Sequence, residues 1–193
     1  MNKPLAISPD RFIAFPWKNG QGVTMDIAAA HRAGGRPGDW ETVIWRFGRT
    51  GIDKPGPFSD MAGFERLQVV VKGHGLRLRA DDGSEIDVRR PFVPVRFDGG
   101  TKINSVLDDG PVEVVNLIVR RDGAAGGLMV APAGTAASLA PGIHVVYAAE
   151  GALDLVVDAS AISVPAGHAL HLDGSPSVDV RAGRAVIATV VPR

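Results

Sequence analysis

Hydrophobic and polar residues alternate along most of this chain in short runs, which glycine, proline and aspartate separate from one another. Alternation with a period of two is typical of half-buried β-strands. Strands are predicted at residues 40–49, 64–71, 76–79, 85–88, 92–97, 102–107 and 112–120, and again at 143–149, 152–157, 161–164, 168–172, 177–180 and 185–191. Because turn residues recur and no long amphipathic helix is evident, the chain is predicted to be all-β, a sandwich or a barrel.

The predicted strands occur in the same order in both parts of the chain. The matching segments are 70–73 with 148–151, 76–78 with 153–155, 86–88 with 162–164, 96–99 with 171–174, and 112–119 with 185–191. This order of a strand ending in glycine, a second strand, a turn, a proline-bearing strand and a return strand resembles a jelly roll of the cupin type. We therefore predict two cupin-type β-barrel repeats in one chain, a bicupin.

The segment between the two repeats has a different composition. Residues 122–140 are rich in alanine and glycine and almost uncharged, and they include Pro132 and Gly134. This composition predicts a connection with at most one short strand, at 128–131. The expected organisation is a first cupin-like half at residues 1–121, the connection at 122–140, and a second, degenerate cupin-like half at 141–193. The unusual polar residues all precede the connection, so the first half is expected to carry the site and the second half a structural role.

The stretch from residue 16 to residue 26 brings several kinds of side-chain chemistry together. It contains an indole, an ammonium, a carboxamide, a hydroxyl and a carboxylate, on Trp17, Lys18, Asn19, Thr24 and Asp26. Asn19-Gly20 favours a hairpin turn, because both residues tolerate a positive φ. In the strand that follows, Thr24 and Asp26 share one face. The pattern allows a polar pocket lined by these residues, or an ordinary hairpin whose polar face is simply in water.

Composition and charge narrow the class of protein. The chain has 193 residues, 45% of them hydrophobic, and its 21 basic and 21 acidic residues give a net charge of zero, which argues against a nucleic-acid partner. The absence of cysteine excludes disulfides and thiolate chemistry. The first residues lack the apolar core of a signal peptide, and no apolar run approaches the roughly 20 residues that span a bilayer. A cytoplasmic protein with no membrane partner is expected.

The histidines do not form a recognisable metal-binding motif. The chain contains five histidines but no His-x-His, and His168 and His171 would point to opposite faces of a strand. No metal and no other cofactor is therefore expected. There is also no Gly-x-Ser-x-Gly elbow, so no nucleophilic residue is predicted. An enzyme built on this chain would have to use a carboxylate such as Asp26 as its base.

Polar side chains interrupt three otherwise apolar strands. Arg46 and Arg66 lie within predicted strands, and Asn116 shares a strand face with Arg120. Guanidinium groups in such positions bind a carboxylate or phosphate ligand, or else pair with an internal carboxylate, for instance that of Asp26. Asn116 must be hydrogen-bonded if it is buried. Taken together, these residues favour a binding site for a small anion.

Several of these residues belong to motifs that resemble the HutD/Ves family. The motifs are Pro-Trp-Lys-Asn-Gly-Gln-Gly-Val-Thr at 16–24, Trp45-Arg46, Gly56-Pro57-Phe58-Ser59 with Gly63 and Arg66, and Asn116-Leu117 with Arg120-Arg121. The resemblance covers residues 10–121 and implies a cupin-like (RmlC-like) fold without a required metal. It also implies a regulator of histidine utilisation that senses a pathway intermediate such as N-formylglutamate or urocanate. The expected ligand-binding residues are Trp17, Lys18, Asn19, Thr24, Asp26, Arg46, Arg66, Asn116 and Arg120.

The chain departs from the family pattern at several positions. Gln21 stands where the family usually has Gly, Asp26 where it has Glu, Gly48 where Ser is common, and Met61-Ala62 where Phe-Pro is usual. Asp in place of Glu shortens the reach by one methylene, so the ligand or its pose could differ. The resulting hypothesis is a non-catalytic protein that binds a small anionic metabolite, with a homodimer left open. The alternative is a metal-independent cupin enzyme, an isomerase or hydrolase, acting on a small anionic substrate.

Overall fold

A computed structural model describes residues 3–20 and 22–193, and within them the chain is almost entirely β, as the alternating pattern predicts. The described residues contain one short 3-10 helix, Pro9–Arg11, and no helix that could cross a membrane. The strands up to residue 121 are β1 (Leu5–Ile7), β2 (Ile13–Pro16), β3 (Val23–His31), β4 (Val43–Ile52), β5 (Gly56–Pro57), β6 (Phe64–Lys72), β7 (Leu76–Ala80), β8 (Glu85–Val88), β9 (Val95–Asp98), β10 (Ile103–Leu107) and β11 (Val112–Arg120). The later strands are β12 (Ala124–Pro132), β13 (Ala136–Ser138), β14 (Gly142–Tyr147), β15 (Leu153–Val157), β16 (Ser160–Val164), β17 (Ala169–Gly174), β18 (Ser177–Ala182) and β19 (Arg184–Pro192).

The strand order shows the same plan twice. In the first unit, β4-β11-β6-β9 form part of a six-stranded sheet that also contains β2 and β3, and this sheet faces a second sheet of order β5-β10-β7-β8. In the second unit, the corresponding sheets are β12-β19-β14-β17 and β13-β18-β15-β16. Each strand from β4 to β11 therefore corresponds to the strand eight places later in the chain, so that β4 matches β12 and β6 matches β14. All the pairings are antiparallel, and each unit is a jelly roll.

The structure contradicts the prediction for residues 122–140. This segment forms two strands, and β12 pairs with β19 along its whole length. β12 lies so close to the first unit that it needs small residues: a Cβ added at Gly126 would lie 2.6 Å from the Val119 side chain. Small residues give no alternating hydrophobic pattern, so the sequence did not predict the full strand. The first residues of the chain also do not belong to the first unit as expected, because β1 pairs with β17 and extends a sheet of the second unit.

The two units pack through their larger sheets. Phe47, Leu67 and Leu117 of the first unit are buried with Tyr147 and Val186 of the second in one apolar core. The interior of the second barrel is filled by another apolar cluster. The interior of the first barrel is apolar only at its two ends, where separate clusters surround Leu78 and Phe15. Polar side chains occupy the space between them.

Candidate ligand-binding site

The polar interior of the first barrel lies on three neighbouring strands. In the centre, Asn116 on β11 pairs with Gly48 on β4 and with Gln68 on β6. One step along the same face, Ile118 lies opposite Arg46 and Arg66. Side chains alternate along a strand, so the residues between these positions face the core that joins the two units. The inward positions of three strands therefore bring two arginines and two carboxamides to one place.

These side chains surround a small cavity. It leaves about 40 Å³ for the centres of water-sized molecules, enough for roughly three waters or one small anion. The lining residues are Trp17, Thr24, Trp40, Arg46, Thr50, Ile52, Phe58, Ser59, Met61, Arg66, Gln68, Val114, Asn116 and Ile118. An open groove of about 660 Å³ adjoins the cavity and shares Trp17, Ile52 and Phe58 with it. A ligand with one end in the cavity could therefore extend outward along this groove.

Arg66 is buried without a carboxylate partner among the described residues. Arg66 is only 7% exposed, and its Nε atom has no hydrogen-bond partner among the described residues. The guanidinium carbon lies 4.6 Å from the centre of the Phe58 ring and 5.2 Å from that of Phe97, so aromatic faces supply part of its environment. Burial lowers the pKa of Arg66 to about 10, because the charged form has lost its water. An anion entering the cavity would stabilise this charge.

Arg46 has the opposite environment, since it is paired with Asp26. Its Nε donates to both Asp26 carboxylate oxygens at 2.9 and 3.1 Å, and its Nη2 donates to Oδ1 at 2.7 Å. The guanidinium carbon lies 3.4 Å from the centre of the Phe15 ring and 4.5 Å from that of Trp40. Burial raises the pKa of Asp26 to about 6, although the hydrogen bonds and charge of Arg46 oppose the rise. For Arg46, the internal Arg–Asp pair left open by the sequence is the arrangement found.

The unpaired polar atoms of the structure concentrate in this cavity. Five buried side-chain polar atoms in the described residues have no hydrogen-bond partner, and four of them are Arg66 Nε, Gln68 Nε2, Gln68 Oε1 and Asn116 Oδ1. The fifth, the Tyr147 hydroxyl, belongs to the core between the two units. Because buried polar groups are normally hydrogen-bonded, these four atoms mark the place where water or a bound molecule would supply the missing partners.

The second barrel shows the same scaffold with its polar groups satisfied. The strand that corresponds to β6 is β14, where His144 and Val146 pair with Thr189 and Ile187 of β19. His144 is fully buried, with Nδ1 3.0 Å from Thr189 Oγ1 and Nε2 3.1 Å from the Gly174 carbonyl oxygen. Val146 and Ile187 belong to the apolar filling of this barrel. The unpaired atoms are thus specific to the first barrel and do not follow from the fold.

Five of the nine expected ligand-binding residues line the cavity, namely Trp17, Thr24, Arg46, Arg66 and Asn116. Asp26 lies behind the wall in its pair with Arg46, and Lys18 is exposed. Asn19 instead joins its turn to the segment after β5: its Nδ2 donates to the Pro57 carbonyl oxygen at 3.0 Å and its backbone N–H to Ser59 Oγ at 3.3 Å. Gln21 lies outside the described residues.

Arg120 does not reach the cavity either. Its guanidinium group donates to the carbonyl oxygens of Val43 at 2.7 Å, Trp40 at 2.8 Å and Glu41 at 3.0 Å. It also lies over the Phe64 ring, with 4.5 Å between the guanidinium carbon and the ring centre. Arg120 therefore holds the chain that enters β4, and its position at the end of β11 takes it past the cavity.

The sequence interpretation missed Gln68, Thr50 and Ser59, which also line the cavity. A signal for Gln68 was present, because it lies two residues after Arg66 in an apolar strand and so shares its face. Thr50 bears the same relation to Gly48 but its hydroxyl donates to the Val23 carbonyl oxygen at 2.8 Å. Ser59 could not be placed by periodicity, since it lies in the irregular segment after β5.

The cavity does not have the donor set of a metal site. Its lining among the described residues contains no histidine, aspartate or glutamate, and the two arginines would repel a cation. Elsewhere in the described chain, no three such side chains group closely enough to hold a metal ion. The chemistry on offer is a buried positive charge, carboxamides that both donate and accept, and hydroxyl groups.

Comparisons with known proteins agree with this architecture. A family model described as HutD matches residues 10–188. An uncharacterized 21.2 kDa protein in the hutC 3' region of Pseudomonas putida is 33% identical over 103 residues, which are 53% of this chain and 51% of that protein. The chain thus covers about half the length of this curated relative.

Solved structures show the same fold at low identity. A conserved protein of unknown function from Pseudomonas aeruginosa PAO1 has a TM-score of 0.81 at 23% identity, covering 98% of this chain and 99% of its own. HutD from Pseudomonas fluorescens SBW25, in a formate condition, has a TM-score of 0.79 at 23% identity, covering 99% and 100%. A salicylate 1,2-dioxygenase from Pseudoaminobacter salicylatoxidans has 0.58 at 9% identity, covering 97% and 81%. The similarity to this cupin-type dioxygenase confirms the expected cupin-like fold.

Proposed function

Because this chain belongs to the HutD family, we propose that it is a non-catalytic protein of histidine utilisation that binds a small carboxylate in its first barrel. The description of its curated relative as a protein in the hutC 3' region supports the link to histidine utilisation. N-formylglutamate and urocanate are the candidate ligands, since both are carboxylates of that pathway. Formate, named in the condition of the related HutD structure, is the smallest probe of the same chemistry. In this role the bound carboxylate reports the level of a pathway intermediate.

The observation that carries the proposal is the unpaired charge of Arg66. A buried charge without a partner destabilises a protein by several kcal/mol, and an internal carboxylate is the usual compensation. Asp26 provides that compensation to Arg46, while no described carboxylate does so for Arg66. A carboxylate ligand would accept hydrogen bonds from Arg66 and neutralise it in the same step. The cavity is large enough for such a group.

The alternative, a metal-independent enzyme, has less support from the residues present. A general base must reach the proton that it removes, within hydrogen-bond distance or through one water. Asp26, the base considered from the sequence, is held by three hydrogen bonds from Arg46 and does not line the cavity. The described lining offers arginine, carboxamide and hydroxyl groups, which suit binding better than proton abstraction.

Calorimetric titration with formate, N-formyl-L-glutamate and urocanate tests the proposal. We expect at least one to bind the wild-type protein, and Arg66→Ala to weaken that binding by about 2–5 kcal/mol, the range for removing one partner of a buried charge pair. Arg79→Ala is the matched control, because it removes the same charge from an exposed side chain. Unchanged affinity in Arg66→Ala would contradict the assignment. Conversion of a ligand to product, followed by chromatography, would favour the enzyme.

A further inference from the structure

We propose that Gln68 determines ligand specificity by binding a neutral group that carries both a hydrogen-bond donor and an acceptor, a few bonds from the carboxylate bound by Arg66. The inference rests on the proposed function and narrows its ligand class. Gln68 is 0% exposed and lines the cavity. Neither Gln68 Oε1 nor Gln68 Nε2 has a hydrogen-bond partner in the described structure. A buried carboxamide with both ends unpaired requires one partner that donates and one that accepts.

This requirement does not depend on how the amide is turned. Rotating the carboxamide of Gln68 by half a turn exchanges oxygen and nitrogen, but the site still presents one acceptor and one donor. Asn116, directly opposite on β11, adds a second unpaired acceptor, Oδ1. Directly opposed side chains on antiparallel strands have Cβ atoms about 5 Å apart, so one ligand group can contact both.

A carboxylate alone cannot satisfy these atoms. An ionised carboxylate only accepts hydrogen bonds, so it can pair with Arg66 and with Gln68 Nε2 but not with Gln68 Oε1 or Asn116 Oδ1. Those two carbonyl oxygens would be left to water, and they would repel a nearby negative charge. A ligand that also brings an N–H or O–H group into the cavity is therefore the better match, because it pairs with these oxygens directly in place of water.

The strand geometry sets the spacing between the two ligand groups. Arg66 and Gln68 are successive inward-facing residues of β6, about 7 Å apart along the strand. A donor group a few bonds from the carboxylate spans this distance. Short carboxylic acids with a secondary amide or an imidazole meet the requirement. The rest of a longer ligand would pass Trp17 and Phe58 into the adjoining groove.

The second barrel shows that the fold itself does not require an amide at this position. Val146 takes the place of Gln68 there, and Ile187 takes the place of Asn116. Both are buried in an apolar cluster. The carboxamides of the first barrel are therefore best explained by the ligand.

The test compares two pairs of ligands that differ only in the donor-bearing group. N-formyl-L-glutamate is paired with glutarate, which lacks the formamido group, and urocanate is paired with cinnamate, whose phenyl ring replaces the imidazole. For whichever pair binds, we expect the wild-type protein to prefer the donor-bearing member by at least about tenfold, since mismatch leaves buried polar groups unpaired. Gln68→Met keeps the size of the side chain and should reduce the preference to about threefold or less. Affinity for the ligand without the donor should stay within about threefold.

Tyr147→Phe is the matched control. It removes another buried polar atom, the hydroxyl of a tyrosine in the core between the two units and outside the cavity, and it should keep the wild-type preference. Equal wild-type affinity for both members of a pair would overturn the inference and leave carboxylate binding intact, and this comparison needs no variant. Equal weakening of both members in Gln68→Met would also overturn it. Failure of every carboxylate to bind the wild-type protein would overturn the proposed function itself.

Discussion

At the scale of the residue, the two buried arginines of the first barrel show how the same type of side chain can serve two different purposes. Arg46 and Arg66 lie on the strands that flank β11, each opposite Ile118. Arg46 lies against the rings of Phe15 and Trp40, and its charge is matched by Asp26. Arg66 also has aromatic neighbours but no described carboxylate beside it. The first arginine stabilises the wall of the cavity, while the second makes the cavity attractive to anions.

The Asp26–Arg46 pair predicts a specific dependence of stability on pH. In the folded protein burial raises the pKa of Asp26 to about 6, because it disfavours the charged form, whereas the ordinary pKa of an exposed aspartate is 3.8. Folded Asp26 therefore keeps its proton to a higher pH than unfolded Asp26, and its contribution lowers the free energy of unfolding as the pH rises from about 4 to about 6. The loss amounts to roughly 2–3 kcal/mol.

Urea unfolding of the wild-type protein and Asp26→Asn at several pH values between 4 and 7 measures this contribution. We expect the decline to be reduced or absent in the variant. Asp87 and Asp98 have lowered pKa values through hydrogen bonds, so they act in the opposite sense and below about pH 4. Asp122→Asn, at an exposed ion pair with Arg32, is the control. Identical pH profiles for wild type and Asp26→Asn would contradict the argument.

At the scale of the element, the close approach of β3 to β4 brings Thr24 to the cavity and Asp26 to Arg46. The approach depends on Gly48, which pairs with Asp26 on one side and Asn116 on the other. A Cβ at this position would lie 2.7 Å from the Thr24 side chain and 2.8 Å from the Met25 carbonyl oxygen. The backbone contact cannot be relieved by a side-chain rotation, so one strand would have to move.

Gly48→Ala is therefore expected to lower the free energy of unfolding by about 1–3 kcal/mol, the range for overpacking a well-packed site. It should also weaken carboxylate binding, because the strands that carry Arg46 and Asn116 would separate from β3. Gly51→Ala on the same strand is the control, since the nearest atom to its Cβ would be Asp53 Oδ1 at 3.6 Å. Urea unfolding of the two variants side by side measures the difference. Equal stability would mean that the close approach is unimportant.

The elements also show how far the sequence could lead. Alternation alone placed Arg46, Arg66 and Asn116 inside strands, and all three line the cavity. It could not show that Asp26 pairs with Arg46, because that depends on a shift in the pairing of β3 with β4 just after Asp26. Lys18 and Asn19 lie in a turn, where periodicity gives no direction. Only residues 128–131 of β12 were predicted as a strand, because close packing required small residues in this segment, and small residues carry no hydrophobic pattern.

At the scale of the whole molecule, two barrels of one design differ in what fills them. The second has an apolar interior in which His144 finds partners for both ring nitrogens. The first keeps Gln68, Asn116 and Arg66 with unpaired atoms. Leaving a buried polar group unpaired destabilises a protein by about 1–3 kcal/mol. The polar interior of the first barrel therefore lowers the stability of the fold. The residues that are proposed to bind the ligand are thus the same residues that lower the free energy of unfolding.

Replacing the two carboxamides with the residues of the second barrel tests this opposition. The double variant Gln68→Val/Asn116→Ile should raise the free energy of unfolding by about 1–3 kcal/mol, because it removes three unpaired polar atoms. It should also abolish selection for ligands that carry a hydrogen-bond donor. Thermal unfolding and calorimetry measure the two effects. A less stable double variant would show that these carboxamides are satisfied within the protein, and would count against a ligand in this barrel.

The hollow first barrel and the filled second barrel also define how one chain responds to its ligand. Among the described residues, the interior of the first barrel holds the buried, unpaired charge of Arg66, whereas the interior of the second is an apolar cluster, so we expect saturation at one ligand per chain and a simple hyperbolic isotherm within that chain. Two sites on one scaffold could have cooperated and produced a threshold; one site cannot. The fraction of protein with bound ligand would therefore rise gradually with the concentration of the metabolite. Any sharp on–off response in the cell would have to arise from coupling between chains or from another component.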